Sequence, residues 1–414
     1  MLYHVQQSYF RTYLPTGKTP SLTLSHKIAL DPTVKQERCF RRAAGTARFV
    51  WNWALAKWKE LYEQGGKPHA LQLKKLWNAT KKDVFPWVYE AAKDVNQQPF
   101  AHLQKAFTRF FRGEAGYPHF KKKGIHDSFY ISNDKLKVDG TRVYIPRLGW
   151  VRMREELRFD GQILSATVSR EVDRWFLSVQ VEVGNYTRER TGDGIVGVDL
   201  GVTTLATLST GEKIESPRPL RKLLKRLKTF QRRVSRKVTG AKNRRKAVER
   251  LARLHQRIKN LRHDTLHKLT SKLTSENQVV AIEDLHVQGM MANHALAQAV
   301  SDMGFHEFRR QLIYKAELTG TYVAVVDRWL PSSKTCSQCG TIHENLALAT
   351  RMLRCTCGLS IDRDHNAAIN LAKVGHTRSH ACGDTSGGGT MATSVYESCV
   401  VEAGTTPCAL LHTM

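Results

Sequence analysis

Four cysteines lie close together in the last quarter of the sequence and restrict what that segment can fold into. Cys336 and Cys339 form a CxxC pair, and Cys355 and Cys357 form a CxC pair after a gap of 15 residues. This pattern is typical of a structural zinc ribbon with four thiolate ligands. Ser, Thr, Gln and Arg surround the four residues, which argues against four free thiols buried in an apolar core. Since CxC departs from the commoner CxxC spacing, His343 stays open as an alternative fourth ligand.

The charge of the chain indicates a polyanionic partner. Its 414 residues include 65 Lys and Arg against 37 Asp and Glu, a net charge of +28, which excludes a protein that serves only small neutral substrates. Apolar residues make up 41%, enough for a core, and the length predicts two or three domains. The longest apolar runs are far shorter than the roughly 20 residues of a membrane-spanning helix. The sequence begins without a basic-then-apolar leader, so we expect a cytoplasmic protein whose clustered cysteines bind metal rather than form disulfides.

Periodicity divides the chain into segments of different secondary structure. Residues 31–115 carry apolar positions at helical spacing and predict a small helical unit. Residues 128–183 alternate and predict a small antiparallel sheet or barrel, and residues 194–210 predict two strands joined by a glycine turn. Two amphipathic helices, in a hairpin, are predicted within 219–273. The Gly/Ser/Thr-rich chain from Gly375 onward predicts a disordered tail.

Acidic residues stand where apolar strands end and where a late helix begins. Asp199 ends one apolar strand between two glycines, Glu283 ends another, and Asp362 and Asp364 precede a helix with small residues on one face. Each acid alone has an ordinary interpretation as a turn or capping residue. Together, three carboxylates from two strand ends and one helix start predict a site for two Mg²⁺ or Mn²⁺ ions about 3.5–4 Å apart. Such a pair would stabilise the attacking and leaving oxygens of a phosphodiester.

Basic residues with interleaved aromatic residues give candidate surfaces for nucleic acid. Between residues 218 and 262 the sequence has 19 Lys and Arg and one acid, Glu249. A solvated basic face normally carries compensating acids, so this segment predicts salt-sensitive phosphate contacts. Nearer the amino terminus, aromatic faces could stack on bases beside lysines, although most aromatic residues at helical spacing are expected in the core. The candidate contacts are Arg48, Trp51, Lys121, Lys122, Lys123, Lys222, Lys225, Arg226, Arg232, Arg233, Arg236 and Lys237.

Six sequence blocks, in their order along the chain, closely resemble the TnpB family, which is OrfB of bacterial insertion sequences. Members of this family are compact relatives of type V CRISPR effectors. The resemblance covers about residues 25–375. The blocks are GTARFVWNWAL at 45–55, FFRGEAGYPHFKKK at 110–123, GVDLGV at 197–202, VAIEDLHVQGM at 280–290, YKAELTGTYVAVVDRWLPSSKTCSQCG at 314–340 and CTCGLSIDRDHNAAINL at 355–371. The two amino-terminal blocks match more weakly than the other four.

The resemblance implies an α/β fold plus a β-barrel. It comprises an RNase H-like (RuvC) nuclease core with an inserted zinc ribbon, and an N-terminal wedge β-barrel interrupted by a helical recognition unit. The implied boundaries are a lead-in at 1–21, a wedge-like β-barrel at 22–30 and 121–185, a helical recognition (helix-turn-helix-like) unit at 31–120, a nuclease core at 194–330 and 359–375, a zinc ribbon at 331–358 and a disordered tail at 376–414.

The resemblance also assigns roles to the site residues. Asp199, Glu283 and Asp364 become the catalytic ligands of two Mg²⁺ or Mn²⁺ ions. In the broader superfamily the third acid stands two residues before an asparagine, here Asn366, which favours Asp364 and leaves Asp362 as the alternative. The four ligands of one structural Zn²⁺ are then Cys336, Cys339, Cys355 and Cys357.

The implied function is that of a transposon-associated RNA-guided DNA endonuclease of a bacterial or archaeal nucleoid. Such a protein binds an RNA from the transposon end, reads a short adjacent DNA motif and cuts double-stranded DNA at a single RuvC site. One alternative is a guide-bound repressor that does not cut, which the presence of all three acids disfavours. The other is a transposase that performs strand transfer itself. The zinc ribbon between the second and third acids and the basic wedge region disfavour that alternative.

Overall fold

The computed structural model of the chain describes residues 22–184, 186, 188–347 and 349–381. It contains two compact units, divided after Tyr186. The lead-in expected at 1–21 and the part of the tail beyond residue 381 lie outside the described residues. None of the described helices is long and apolar enough to cross a membrane.

The first unit combines a sheet with three long helices. Its change from helical to alternating periodicity falls where the sequence predicts it, at residue 128. In chain order its elements are β1 (Leu22–Asp31), α1 (Val34–Glu63), α2 (Ala70–Val84), α3 (Lys93–Phe111), β2 (Ser128–Ser132), β3 (Lys137–Asp139), β4 (Arg142–Ile145), β5 (Gly149–Met153), β6 (Gln162–Glu171) and β7 (Arg174–Val183).

The seven strands form one antiparallel sheet in the order β2-β6-β7-β1-β5-β4-β3. β1 pairs with β7 from Leu22 opposite Val183 to Ala29 opposite Phe176. Every second residue of β7 is buried, which is the period of two by which the strand is predicted. In the described residues β2 and β3 stand at opposite ends of this order and do not pair, so of the two forms that the alternation predicted, a sheet or a barrel, the structure has the open sheet, and the barrel implied by the resemblance is not shown. Its edge strand β3 spans only three residues, which leaves few backbone groups for closure.

The helical part of the first unit is built around aromatic side chains. α1 begins at a capping box, in which the Thr33 hydroxyl accepts a hydrogen bond from the Gln36 backbone and the Gln36 side chain accepts one from the Thr33 backbone. Between α1 and α3, Trp58 and Phe107 stack with ring centroids 4.1 Å apart. The aromatic residues at helical spacing therefore supply a core, as the periodicity favours.

The second unit alternates strands and helices around a smaller sheet. Its elements are β8 (Gly194–Leu200), β9 (Ala206–Leu208), β10 (Lys213–Ile214), α4 (Pro219–Ser235), α5 (Lys242–Glu276), β11 (Asn277–Glu283), α6 (Val287–Ala292), α7 (His294–Met303), α8 (Phe305–Thr319), β12 (Tyr322–Val326), β13 (Met352–Arg354), β14 (Ser360–Asp362) and α9 (Arg363–Ala381).

The main sheet of the second unit is mixed, with strand order β10-β9-β8-β11-β12. β8, β11 and β12 are parallel, and β9 and β10 are antiparallel. Val280 and Ile282 of β11 pack with residues of α5 and α8. Val279 and Ala281 point to the other face and pack with Leu371 of α9. Helices cover both faces, which explains why β11 is almost continuously apolar.

The basic segment forms the predicted helical hairpin. α4 and α5 turn at Gly240, whose φ of +86° is readily adopted only by glycine. Leu227 of α4 packs against Leu254 and Ile258 of α5 in a small buried cluster of its own. The hairpin is therefore held by a narrow apolar seam, and its basic residues lie on the remaining surface.

The last elements differ from the prediction in length. β13 and β14 form a two-stranded antiparallel ribbon. α9 follows β14 directly and continues to Ala381, so residues 376–381, which were predicted as tail, are helical.

α9 lies directly against the backbone of β8. A Cβ atom added to Gly197 would be 1.9 Å from the Ala368 carbonyl oxygen and 2.6 Å from the Ala372 backbone nitrogen. Ala367 and Ala368 are themselves buried. Small residues on the strand and on the helix thus allow the two backbones to approach more closely than larger side chains would permit.

We expect Gly197→Ala to destabilise the second unit, since neither backbone can move without displacing β8 or α9. Overpacking of this kind costs about 1–3 kcal/mol. Thermal unfolding of the purified protein measures it. Gly116→Ala is the control, because an added Cβ there has no atom within 4 Å. Equal melting temperatures for the two variants would contradict the close contact.

Candidate active site and metal centre

Two of the three candidate acids end neighbouring parallel strands. Val198 of β8 pairs with Ile282 of β11, so Asp199 and Glu283 are the next residues along and lie side by side. Val198 and Ile282 pack into the core shared with α5 and α8. Because successive side chains of a strand point to opposite faces, the two carboxylates lie on the face covered by α9.

The start of α9 carries the remaining acids, and the two have different surroundings. The Asp362 carboxylate accepts hydrogen bonds from the backbone N–H groups of Asp364 (3.0 Å) and His365 (3.1 Å), as a helix-capping residue does. It also accepts one from Lys213 Nζ at 2.9 Å. Asp364 has only long ion pairs of 3.9 Å, to Arg351 and Arg363. Of the two acids, Asp364 has the carboxylate that is freer to bind an ion.

Electrostatic interactions show that the acids are close to one another. Burial, followed by the negative charges of Asp364 and Glu283, raises the pKa of Asp199 to about 7, against the opposing effect of Arg363. Asp362 has a smaller effect on the same group. Burial also raises the pKa of Glu283, against the opposing effect of Arg328. Crowded carboxylates of this kind are stabilised by a cation placed between them.

Asp284, the acid after Glu283, has a role that the sequence did not reveal. Helix capping was the ordinary interpretation of this residue. Instead its two carboxylate oxygens accept hydrogen bonds from Arg309 and Arg328, each at 2.5 Å. These two arginines lie on α8 and after β12, and nothing in their local sequence pattern marks them as partners of β11. These two ion pairs fix the position of the chain immediately after Glu283.

The four cysteines form the predicted cluster. Their sulfur atoms all lie within 4.8 Å of one another, the one such set of candidate ligands among the described residues. Cys336 and Cys357 are 3.7 Å apart, and Cys339 and Cys355 are 3.5 Å apart. A tetrahedral zinc with bonds of about 2.3 Å places its sulfurs about 3.8 Å apart, so these residues fit a zinc ion.

The CxC pair belongs to the cluster despite its short spacing. The backbone of Cys357 lowers the pKa of Cys355 to about 5 by hydrogen bonding, with a further contribution from the side chain of His343. All four members of the cluster are cysteines, and His343 is not among them. Gly340 and Gly358 follow the two pairs with φ of +82° and +92°, which gives both knuckles the same tight turn.

Two buried asparagines of α9 connect the cysteine segment to the helix that carries Asp364. Asn366 accepts a hydrogen bond from the Ser337 backbone at 2.8 Å and donates one to the Thr335 carbonyl at 2.7 Å. Asn370 donates to the Ser332 carbonyl at 2.8 Å. In the sequence, Asn366 served only to locate the third acid, and no role was predicted for Asn370. Their spacing of four residues on an otherwise small and apolar helix face was the available signal.

The predicted contacts on α4 and at the two positions that follow Ser235 are all exposed. No acidic group lies within 4 Å of any of them in the part of the chain that is described. The helix is held at its start by the buried Asp302 of α7, whose carboxylate accepts hydrogen bonds from the backbone of Leu220 and Arg221, each at 3.0 Å. The residues concerned are Lys222, Lys225, Arg226, Arg232, Arg233, Arg236 and Lys237.

Two of the predicted contacts in the first unit have structural partners instead. Arg48 forms an ion pair of 2.7 Å with Asp127. Trp51 is buried, donates a hydrogen bond to the His119 carbonyl at 3.0 Å, and has Lys121 Nζ 4.2 Å from its ring centroid. The ring of Trp51 is therefore covered by its own chain in this structure, and its stacking on a base stays a prediction. Lys122 and Lys123 are exposed and remain candidates.

Three sequence profiles match the chain. One described as "Probable transposase" matches residues 178–294, one described as a helix-turn-helix domain matches 22–67, and one described as a Cas12f1-like TNB domain matches 305–371. The first two are profiles of OrfB proteins of insertion sequences. Together they place the chain in a class of transposon-encoded proteins.

Relatives of known sequence identify the family. A Streptomyces pristinaespiralis protein named "Putative RNA-guided DNA endonuclease" is 38% identical over 369 residues, covering 86% of this chain and 90% of that protein. "Putative RNA-guided DNA endonuclease InsQ" of Escherichia coli K12 is 35% identical over 380 residues, covering 86% and 93%. The chain belongs to the OrfB (TnpB) family, as the sequence blocks indicated.

A solved structure shares the fold. The Cas12f1 chain in a complex with single guide RNA and target DNA superimposes with a TM-score of 0.55 at 12% identity, covering 85% of this chain and 99% of that one. At this identity the likeness concerns the fold alone.

We expect Cys336→Ser and Cys357→Ser to lower zinc affinity by at least about 10–100-fold. Mutation of a residue that only hydrogen-bonds to a metal ligand already lowers affinity by that factor, and each of these substitutions removes a ligand itself. Metal analysis of the purified variants measures bound zinc. His343→Ala is the matched control and should retain one zinc per chain. If Cys357→Ser keeps a full zinc content and His343→Ala loses zinc, then His343 and not Cys357 is the fourth ligand.

The raised pKa of Asp199 predicts a pH-dependent stability of the chelator-treated protein. Between pH 3.8 and about 7 the folded state keeps a proton that the unfolded state has lost, so this group reduces stability as pH rises through that range. Asp199→Asn removes the effect and should be more stable than the parent by about 2–4 kcal/mol at pH 8, with a smaller gain at pH 5. Denaturant unfolding at both pH values measures it.

Asp362→Asn is the control for this prediction. Partial burial raises the pKa of Asp362, but its hydrogen bonds to Lys213, His365 and Asp364 outweigh burial and lower the pKa overall. We therefore expect no gain in stability at pH 8 for this variant. A gain of the same size in both variants would mean that general charge reduction, and not crowding at Asp199, explains the result.

Proposed function

We propose that this protein is an RNA-guided DNA endonuclease that hydrolyses phosphodiester bonds at one site. The observation that carries the proposal is the convergence of Asp199, Glu283 and Asp364 from two adjacent strand ends and a helix start, with the Asp199 pKa raised by its neighbours. Strongly perturbed acids in a cluster are typical of catalytic sites. The names of the two relatives extend the proposal from a nuclease to an RNA-guided one.

Asp199, Glu283 and Asp364 would hold two Mg²⁺ or Mn²⁺ ions. Three carboxylates from separate elements supply the hard oxygen ligands that a pair of such ions requires. When bound, such ions act as Lewis acids that stabilise the attacking and leaving oxygens. The contribution of the chain is to fix the three carboxylates on rigid elements and to keep Asp362 engaged with Lys213 outside the set.

The proposed architecture follows from the second unit. Its mixed sheet, with β8, β11 and β12 parallel and α9 on one face, supports an RNase H-like (RuvC) core at 194–330 and 359–375 with a zinc ribbon at 331–358. In the first unit, the sheet strands at 22–30 and 121–185 would form the wedge, and residues 31–120 the recognition unit.

The nucleic-acid partners are a guide RNA from the transposon end and double-stranded target DNA that carries a short adjacent motif. The net charge of +28 and the seven exposed basic residues on and just after α4 support polyanion binding. Exposed arginines and lysines without acidic neighbours contact phosphates without regard to sequence, so base pairing with the guide would supply the specificity.

Plasmid depletion tests this function. The protein is expressed with its transposon end, carrying a reprogrammed guide, against a target flanked by randomised bases. Depletion of one short flanking motif is expected for the parent. We expect cleavage to fall by at least about 100-fold in Asp199→Ala, Glu283→Gln and Asp364→Asn. Removal of a proposed metal ligand should have a larger effect than removal of a residue that hydrogen-bonds to a ligand.

Two controls separate the alternatives. Asp362→Asn should keep cutting within about 10-fold, because its carboxylate supports the helix start and not the ions; complete loss would move the third ligand to this residue. RNA that copurifies with the Asp199→Ala variant, without cutting, separates a catalytic from a binding defect. Persistent cutting by Asp199→Ala would overturn the site.

A further inference from the structure

Trp329 is the most exposed of the large apolar side chains that the structure describes. Its relative exposure is 84%, whereas no other tryptophan of the chain exceeds 44%. It stands three residues beyond the end of β12, the strand that neighbours β11. A tryptophan ring left in water at this position, beside the edge that carries Glu283, has no role in the packing of its own chain.

The loop that carries Trp329 is held firmly. The Asp327 carboxylate accepts a hydrogen bond from the Trp329 backbone at 2.9 Å, and the Asp327 carbonyl accepts one from Leu330 at 3.1 Å. A few residues further on, Asn370 of α9 binds the Ser332 carbonyl. The loop is thus tied to β12 on one side and to the helix carrying Asp364 on the other, so the backbone at Trp329 is held relative to both.

A cleft of about 520 Å³ opens beside the ring. It is lined by Asp284, Val325, Asp327, Arg309, Arg328 and Trp329. Asp284 directly follows Glu283, and its backbone N–H donates to the Val326 carbonyl at 2.8 Å, which keeps the cleft adjacent to the end of β11. The cleft therefore lies at the carboxyl edge of the sheet, on the side of α8, whereas the carboxylates of Asp199 and Glu283 face α9 at the same edge.

The chemistry of the cleft suits a nucleotide. Arg309 and Arg328 each give one hydrogen bond to Asp284 and, with five N–H donors apiece, retain others. About a third of each guanidinium side chain is exposed. A flat aromatic face next to arginine donors is the combination that binds a base and its phosphate. A base in a duplex has both faces covered by its neighbours, so the matching ligand is an unpaired nucleotide.

We propose that this cleft, formed by Trp329 with Arg309 and Arg328, receives an unpaired nucleotide of the DNA strand entering the active site, with its base stacked on Trp329. The inference rests on the proposed function and deepens it. DNA is favoured over the guide because the cleft adjoins the edge where the strand to be cut must lie. Trp329 is then a positioning residue, which sets the strand in register with the carboxylates.

A fluorescent base tests the stacking directly. The full-length protein, purified with its guide RNA and carrying Asp199→Ala to prevent cutting, is mixed with target DNA in which 2-aminopurine replaces one base at a time near the cleavage position. Stacking on indole quenches 2-aminopurine. We expect a quench confined to one or two positions, lost with Trp329→Ala and kept with Trp329→Phe.

Cleavage by the otherwise unmodified protein gives the second measurement. Stacking of one base corresponds to about 5–150-fold in binding, so single-turnover cleavage should fall by a factor in that range for Trp329→Ala. Trp329→Phe should recover most of the rate, and guide RNA binding should not change. Leu330→Ala, at the next position of the same loop, is the matched control and should cut normally.

The outcomes separate this inference from the proposed function. If the parent cuts guided DNA and Trp329→Ala cuts equally well with an unchanged quench, the cleft has another role and the nuclease assignment stands. Loss of guide RNA binding in Trp329→Ala would assign the ring to RNA instead and overturn the inference. If the parent protein cuts no guided target, the proposed nuclease function is wrong. The fluorescence quench still shows in that case whether Trp329 stacks on DNA.

Discussion

The direct contact between α9 and β8 at Gly197 is the constraint on which the candidate site depends. Only because position 197 lacks a side chain can the Ala368 carbonyl lie where a Cβ atom would be. This depth of approach brings the first turn of α9 to the end of β8, two residues beyond Gly197. Asp199 and Asp364 therefore repel each other across a gap set by backbone packing, and not by flexible side chains.

The cysteine cluster and the strand ends at Asp199 and Glu283 are linked mechanically through α9. Asn366 and Asn370 bind backbone groups at 332, 335 and 337, inside the segment that the cysteines organise. Buried amides with several hydrogen bonds tolerate little displacement, because any unpaired group would be left without water. The cysteine segment thus acts as a brace for the helix start and for the loop after β12.

The sequence was sufficient to predict features that depend on residues close together in the chain. The cysteine spacing, the apolar strands ending at Asp199 and Glu283, and the basic hairpin are patterns of a few residues, and all recur in the structure. Partners that depend on tertiary contact were not predictable: Arg309 and Arg328 meet Asp284 from two other elements, and Trp51 is covered by Lys121 from 70 residues away. Arg48 and Trp51 have the residue types of a nucleic-acid contact, but burial and an ion pair use them internally. Whether the strands of the first unit form an open sheet or a barrel was left undecided, because alternation predicts strands and not whether their edges meet.

The placement of α9 has a consequence for how the protein becomes active during its synthesis. Asp199 and Glu283 emerge from the ribosome long before Asp364, which follows Asp199 by 364 − 199 = 165 residues. Contacts of such separation form late, and the core strands can pair before the last helix arrives. A nascent chain therefore carries two acids of the three, together with a fully charged basic hairpin. The order of synthesis therefore places the basic surface of the hairpin on the chain before the acid cluster is complete.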